Sequence, residues 1–216
     1  MGVQITSTTL TQVLPVGLLL LQWDGVEDMN VSIAELVLHH RSRHPTVRMS
    51  NAGGWQSEKT FHEWNHPAVH QLIEMIHCAS TMYGTQLGLE SPDLVDATQR
   101  IVAWANVNGS GDYNRLHYHG GALWSGVYFP SVDFACHGDE YDGALVFRGP
   151  VQTSLLLSSM PSKPWLKRLF PTDLRIAPQD GLMVVFPAWL EHQVFPFREA
   201  GCRISISWDV VIPRAV

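Results

Sequence analysis

The chain has 216 residues, 45% of them hydrophobic and 16% charged, and its mean hydropathy is zero. That is enough apolar material for a sizeable core in one domain, so residues 1–216 read as a single unit. A net charge of −6, a pI of about 6.0 and the lack of any long Lys or Arg run argue against general nucleic-acid binding. Cys78, Cys136 and Cys202 are odd in number and show no Cys-x-x-Cys spacing, which points away from zinc or redox pairs and toward free thiols in a reducing cytoplasm.

The first apolar stretch, residues 13–21, is about half the roughly 20 residues that a bilayer span needs. It also lacks a basic leader, so it reads as an early buried strand of a soluble, membrane-independent protein. Residues 28–44 read as a helix, with Ser32-x-x-Glu35 as a capping box and Pro45 as its latest end. A second helix is expected from Pro67 to about Tyr83, where Leu72, Ile73, Met75 and Ile76 form an apolar stripe. A shorter one should follow Ser91-Pro92-Asp93.

From Ile101 onward the pattern becomes that of short strands, at 101–108, 115–120, 123–130, 144–148, 174–177, 182–187, 192–197 and 202–212. Eight such runs predict a mainly β sandwich or barrel over 101–216. Residues 1–100, a strand and helices, would pack on it. Two loops are long, 131–143 and 158–173; the second, and Gly53-Gly54-Trp55, are candidates for a lid.

The chemistry starts at His117 and His119. A His-x-His pair on an extended strand points both rings at one face, where they can grip one ion, and His192 would close the site from a strand across a barrel. Such a set suits iron, zinc, copper or nickel. Arg203 follows His192 by 11 residues across a turn at Glu199-Ala200-Gly201, so the two are expected on adjacent strands facing one cavity. An inward guanidinium in an apolar strand needs an anion, such as the carboxylate of a small acid, and Ser205 shares its face. The run His62-Glu63-Trp64-Asn65-His66 fits the His-Glu-x-x-His zinc protease pattern, but Pro67 drives His66 out of the helical region and breaks the shared face.

Several segments together resemble the 2-oxoglutarate and iron(II)-dependent oxygenases related to prolyl hydroxylases. They are Trp104-Ala105-Asn106-Val107-Asn108, Asn114, His117-Tyr118-His119, Ser125-Gly126-Val127-Tyr128-Phe129, 181–192 and Arg203-Ile204-Ser205-Ile206-Ser207, with 50–57 at the N-terminal side. The resemblance implies a double-stranded β-helix (a jelly-roll or cupin-like core), iron(II) and 2-oxoglutarate as cofactors, and hydroxylation of a small molecule or peptide with release of succinate and carbon dioxide. It implies that His117 and His192 are metal ligands. Arg203 and Tyr128 would bind the distal carboxylate of 2-oxoglutarate, and Asn106 would line the pocket.

The chain departs from the wider superfamily at position 119, where a carboxylate is usual. Three neutral imidazoles leave an iron(II) site at +2, which a 2-oxoglutarate dianion would neutralise. Asp112, Asp139, Glu140, Asp142 and Glu191 are the nearby carboxylates, and His119 is taken as the third ligand in preference to them, with iron rather than zinc as the metal. Two other classes fit the same residues. One is a cupin-like metal enzyme that does not use 2-oxoglutarate, and the other an inactive ligand-binding domain. Trp104, Trp124, Phe186 and Trp208 are available to line a dry cavity.

Overall fold

The computed structural model describes residues 17–90, 100–134, 141–149 and 173–211. In chain order these form β1 (Leu19–Gln22), α1 (Glu27–Arg41), β2 (Asn51–Ala52), β3 (Trp55–Gln56), a single 3-10 turn (Phe61–Glu63) and α2 (Pro67–Gln86). There follow β4 (Ile101–Gly109), β5 (Tyr113–His117), β6 (Ala122–Asp133), β7 (Leu145–Phe147), β8 (Leu174–Ile176), β9 (Leu182–Pro187), β10 (His192–Val194) and β11 (Cys202–Val211).

Two antiparallel sheets result. One has six strands in the order β1-β9-β6-β11-β4-β3, and the other has five in the order β2-β5-β10-β7-β8. Alternation along β11 shows how the layers are divided. Ile204, Ile206, Trp208 and Val210 join the apolar cluster under the helices, while Arg203, Ser205, Ser207 and Asp209 line a cavity on the opposite face. The same period runs along β4, where Ala103, Ala105 and Val107 face the helices and Trp104 and Asn106 face the cavity. Between the sheets Val127, Phe129, Val184 and Phe186 meet Leu145, Phe147 and Ile176, and this second cluster holds them together.

The N-terminal part does more than cover the core. β1 pairs with β9, β3 with β4 and β2 with β5, so this part adds strands to both sheets. β1 is an edge strand with Leu20 49% exposed, rather than the buried strand expected from its composition, because only β9 flanks it. β2 and β3 are two residues each, too short to show a periodicity.

α1 begins at Glu27, five residues before Ser32, so the expected capping box lies inside the helix. The Ser32 hydroxyl instead donates to the Asp28 carbonyl at 2.9 Å. Glu27 and Asp28 in its first turn and His39, His40 and Arg41 in its last complement the helix dipole. α2 starts with Pro67, and the His66 ring caps it by accepting from the Ala68 amide at 3.2 Å. Its buried face, with Val69, Leu72, Ile76, Ala79 and Tyr83, follows the i, i+3, i+4 spacing that packs a helix onto a sheet. No helix among the described residues is long and apolar enough to cross a membrane. The helix expected after Ser91, Cys136 and loop 158–173 up to residue 172 lie outside the described residues.

Close packing leaves no room on the helix side of β6. A methyl at Gly126 would sit 2.2 Å from the indole of the fully buried Trp208. Gly126→Ala is therefore expected to destabilise the fold by about 1–3 kcal/mol through overpacking, measured by chemical denaturation. An unchanged midpoint would show that the sheet and helices can part without loss.

Candidate metal centre

His117 ends β5 and His192 opens β10, and the two are direct cross-strand partners. His192 therefore reaches its neighbour along one sheet and not from across a barrel. His119 lies two residues beyond β5, where its amide donates to the Ala188 carbonyl at 2.8 Å and fixes the chain. Ring centroids stand 4.4 Å apart for His117 and His192, 5.0 Å for His119 and His192, and 5.3 Å for His117 and His119. One ring nitrogen from each lies within 4.8 Å of the others, a spacing that a single ion can bridge.

Nδ1 of each ring is already engaged. Nδ1 of His117 meets the Arg115 carbonyl at 2.7 Å, and Nδ1 of His192 meets the Leu190 carbonyl at 2.9 Å. Nδ1 of His119 meets a carboxylate oxygen of Asp209. A carbonyl only accepts, so Nδ1 carries the proton in His117 and His192, and each neutral ring keeps its lone pair on Nε2. Burial pushes the His192 imidazole down to about 3, helped by the neighbouring His117, and burial also lowers His117. Both rings are thus neutral at ordinary pH, as metal ligation requires.

Asp209 was not among the carboxylates that the sequence suggested. It is 4% exposed and holds three partners: His119, the Ser125 hydroxyl at 2.8 Å and the Lys59 ammonium at 2.8 Å. Burial raises its carboxyl, but the hydrogen bond from His119, with the charge and hydrogen bond of Lys59, outweighs that and leaves it below the usual carboxylate range. Lys59 also lies over the Trp104 ring at 4.3 Å. The signal was present in the alternation, since Asp209 shares the phase of Arg203 and Ser205 within an apolar strand. The acids considered instead are engaged elsewhere. Asp112 accepts from the Gly109 amide, Asp142 accepts from the Arg198 amide, and Glu191 pairs with Arg148. Asp139 and Glu140 lie outside the described residues.

The rings open into a cavity of about 600 Å³. Arg203, 2% exposed, lines it from β11 and donates to the Gly143 carbonyl at 2.7 Å. It does not sit on a strand adjacent to His192, because β10 and β11 belong to different sheets; the two residues face the same cavity from opposite walls. Ser205 lines the cavity beside it, and Asn106 does so from β4 while donating to the Ser207 hydroxyl at 3.1 Å. Tyr128 does not. Its hydroxyl donates to the Asn30 side chain at 2.6 Å on the helix side of β6, so it cannot serve the cavity. Trp104 and Phe186 line the cavity, whereas Trp124 and Trp208 pack under the helices. Gly54 and Trp55 open on a separate shallow cleft beside Arg41 and Asp112. His62 and His66 never share a helix face, since His62 sits in the 3-10 turn and His66 is an extended cap residue.

A family model described as "Putative 2OG-Fe(II) oxygenase" matches residues 102–209, half of the chain, and the protein belongs to that family. Iron(II) and 2-oxoglutarate are accordingly its cofactors. Similar solved structures include a Pseudomonas putida prolyl-4-hydroxylase with TM-score 0.60 and 14% identity, covering 91% of this chain and 94% of that one. A prolyl hydroxylase in complex with a hypoxia inducible factor oxygen degradation domain peptide fragment from Trichoplax adhaerens has TM-score 0.58 and 12% identity, with 90% and 83% covered. HygX from Streptomyces hygroscopicus, with nickel and 2-oxoglutarate bound, has TM-score 0.53 and 11% identity, again with 90% and 83% covered. No curated protein sequence matches the chain. At these identities the likeness is one of fold, and the fold is a double-stranded β-helix.

Two expectations follow. Tyr128→Phe should lower stability by about 1–3 kcal/mol, because the buried Asn30 oxygen loses its donor, and should leave the affinity for 2-oxoglutarate unchanged in a calorimetric titration. A large loss of that affinity would return Tyr128 to the cavity. The second concerns pH in metal-free protein. Unfolded His192 takes a proton near 6.5 and the folded residue only near 3, so the unfolded state binds more protons in that window. Stability should fall as pH drops from 6.5 toward 3, on the order of 1 kcal/mol per unit from this residue. Urea midpoints of wild type and His192→Ala, the variant having the shallower pH slope, check it.

Proposed function

We propose that the protein is an oxygenase that hydroxylates a small-molecule or peptide substrate, consuming 2-oxoglutarate and oxygen and releasing succinate and carbon dioxide. The observation that carries this is the set of three imidazoles whose Nδ1 positions are all engaged, leaving three Nε2 lone pairs for one ion in a cavity that also holds a buried arginine. The donor set suits iron(II): neutral nitrogen ligands from His117, His119 and His192, on a rigid strand pair and an anchored loop. When bound, iron(II) with 2-oxoglutarate supplies activated oxygen, one atom of which enters a substrate C–H bond while the other leaves in succinate.

The chain's own residues bind, orient and exclude. Arg203 would grip the distal carboxylate of 2-oxoglutarate by charge-assisted bonds, with Ser205 adding a hydroxyl. Asn106 forms the wall next to them. Trp104 and Phe186 make the cavity apolar around the histidines and keep water from the reacting atoms. The cavity mouth carries Arg48 and Arg115, and among the described residues four cations and one carboxylate line the cavity of a chain whose net charge is −6. That field draws dianionic 2-oxoglutarate inward. The free thiols of Cys78 and Cys202 favour a cytoplasmic setting.

His117→Ala and His192→Ala should each weaken binding of iron(II) severely, by about 100-fold or more, measured anaerobically. Arg203→Ala should retain the metal while weakening 2-oxoglutarate by about 10–100-fold, the worth of a charge-assisted pair. Succinate release that depends on iron(II) and 2-oxoglutarate supports the reading. Full iron occupancy in His117→Ala, or 2-oxoglutarate affinity untouched in Arg203→Ala, would remove these assignments.

A further inference from the structure

His117 and His192 hand their Nδ1 protons to backbone carbonyls, which are neutral dipoles, whereas His119 alone faces a carboxylate. Asp209 is also the one acid among the described residues that line the cavity. Its two oxygens are held from three separate parts of the chain. Oδ1 accepts from the Ser125 hydroxyl on β6 and meets the His119 ring beyond β5, and Oδ2 accepts from Lys59 at the end of the segment after β3. Pinned at both oxygens, the carboxylate cannot turn away from the ring. Burying a charge this far from water is unfavourable unless its bonds are complete, and here they are.

Resting on the metal-centre reading above, we propose that Asp209 is a positioning residue for His119, fixing its ring with Nε2 inward and passing negative charge through it toward the bound metal. A dication held by three neutral imidazoles has no anionic ligand from the protein, and this arrangement supplies that charge one residue further out. It makes His119 the one ligand of the three that is backed by an anion, although its neighbours are the ones on regular strands. Lys59, 47% exposed at its side chain and seated on Trp104, takes up part of the same charge and so moderates the effect. A purely structural role is the competing account: Asp209 would simply tie the loop after β5 to the six-stranded sheet.

Titration of the metal-free protein with Mn(II), followed by electron paramagnetic resonance without 2-oxoglutarate, separates the two. Asp209→Asn keeps the shape and removes the charge, and should weaken Mn(II) binding by about 10–100-fold. In a His119→Ala background the same change should have less than about twofold effect, because the charge acts through that ring. Lys59→Met, a change at a half-exposed position, should tighten Mn(II) by roughly five- to tenfold by releasing the carboxylate from its counter-ion. Under the structural account it would loosen Asp209 and weaken binding instead. Mn(II) affinity within twofold of wild type in Asp209→Asn, equal losses in both backgrounds, or weaker binding in Lys59→Met overturns the proposal. If the wild-type chain takes up no Mn(II), the metal centre itself fails and this role falls with it.

Discussion

Three hydrogen bonds on the far side of three rings govern the rest of this structure. An imidazole can bind a cation through one nitrogen only if the other holds the proton, and here a carbonyl, a carboxylate and a second carbonyl occupy the Nδ1 positions of His117, His119 and His192. Those acceptors are not decorations of the site. Two are main-chain atoms two residues upstream of the histidine they serve, so the strand geometry that positions each ring also sets its tautomer.

The layering of the fold gives the site its two chemically different walls. The five-stranded sheet brings His117 and His192 together as cross-strand partners, and the six-stranded sheet presents Arg203, Ser205, Ser207 and Asp209 from alternate positions of one strand. The imidazoles of His117 and His192 and the guanidinium of Arg203 therefore come from opposite sheets and face one cavity. Helices α1 and α2 cover the outer face of the six-stranded sheet, so that β11 can be apolar on one side and polar on the other without exposing either.

Much of this was legible because β-strand alternation is a strict rule. The strands at 101–109, 182–187 and 202–211 fall within a residue or so of their expected bounds, and Arg203 and Ser205 share the cavity-facing phase of β11 that alternation requires. The same rule, applied further, would have added Asp209 and removed Tyr128. On β6 the cavity side is shared by Ser125, Val127 and Phe129, which leaves Tyr128 facing Asn30. Position 119 was harder, since His119 has already left β5 and its direction depends on a bond to Ala188, 69 residues away. The Ser32 and Glu35 pair does not mark a helix start, because capping-box spacing also occurs inside an amphipathic helix, where α1 places it. That His192 and Arg203 stand on different sheets could not be read from their short separation, since a tight connection can join facing sheets as well as neighbouring strands.

The central claim is that the three rings present Nε2 to one cation, and nitrogen-15 NMR of the histidine side chains with diamagnetic Zn(II) tests it most directly. The account predicts that in metal-free protein the rings of His117, His119 and His192 carry their proton on Nδ1, and that one equivalent of Zn(II) shifts all three Nε2 resonances together. Protons found on Nε2, or a shift confined to fewer than three of these rings, would contradict it.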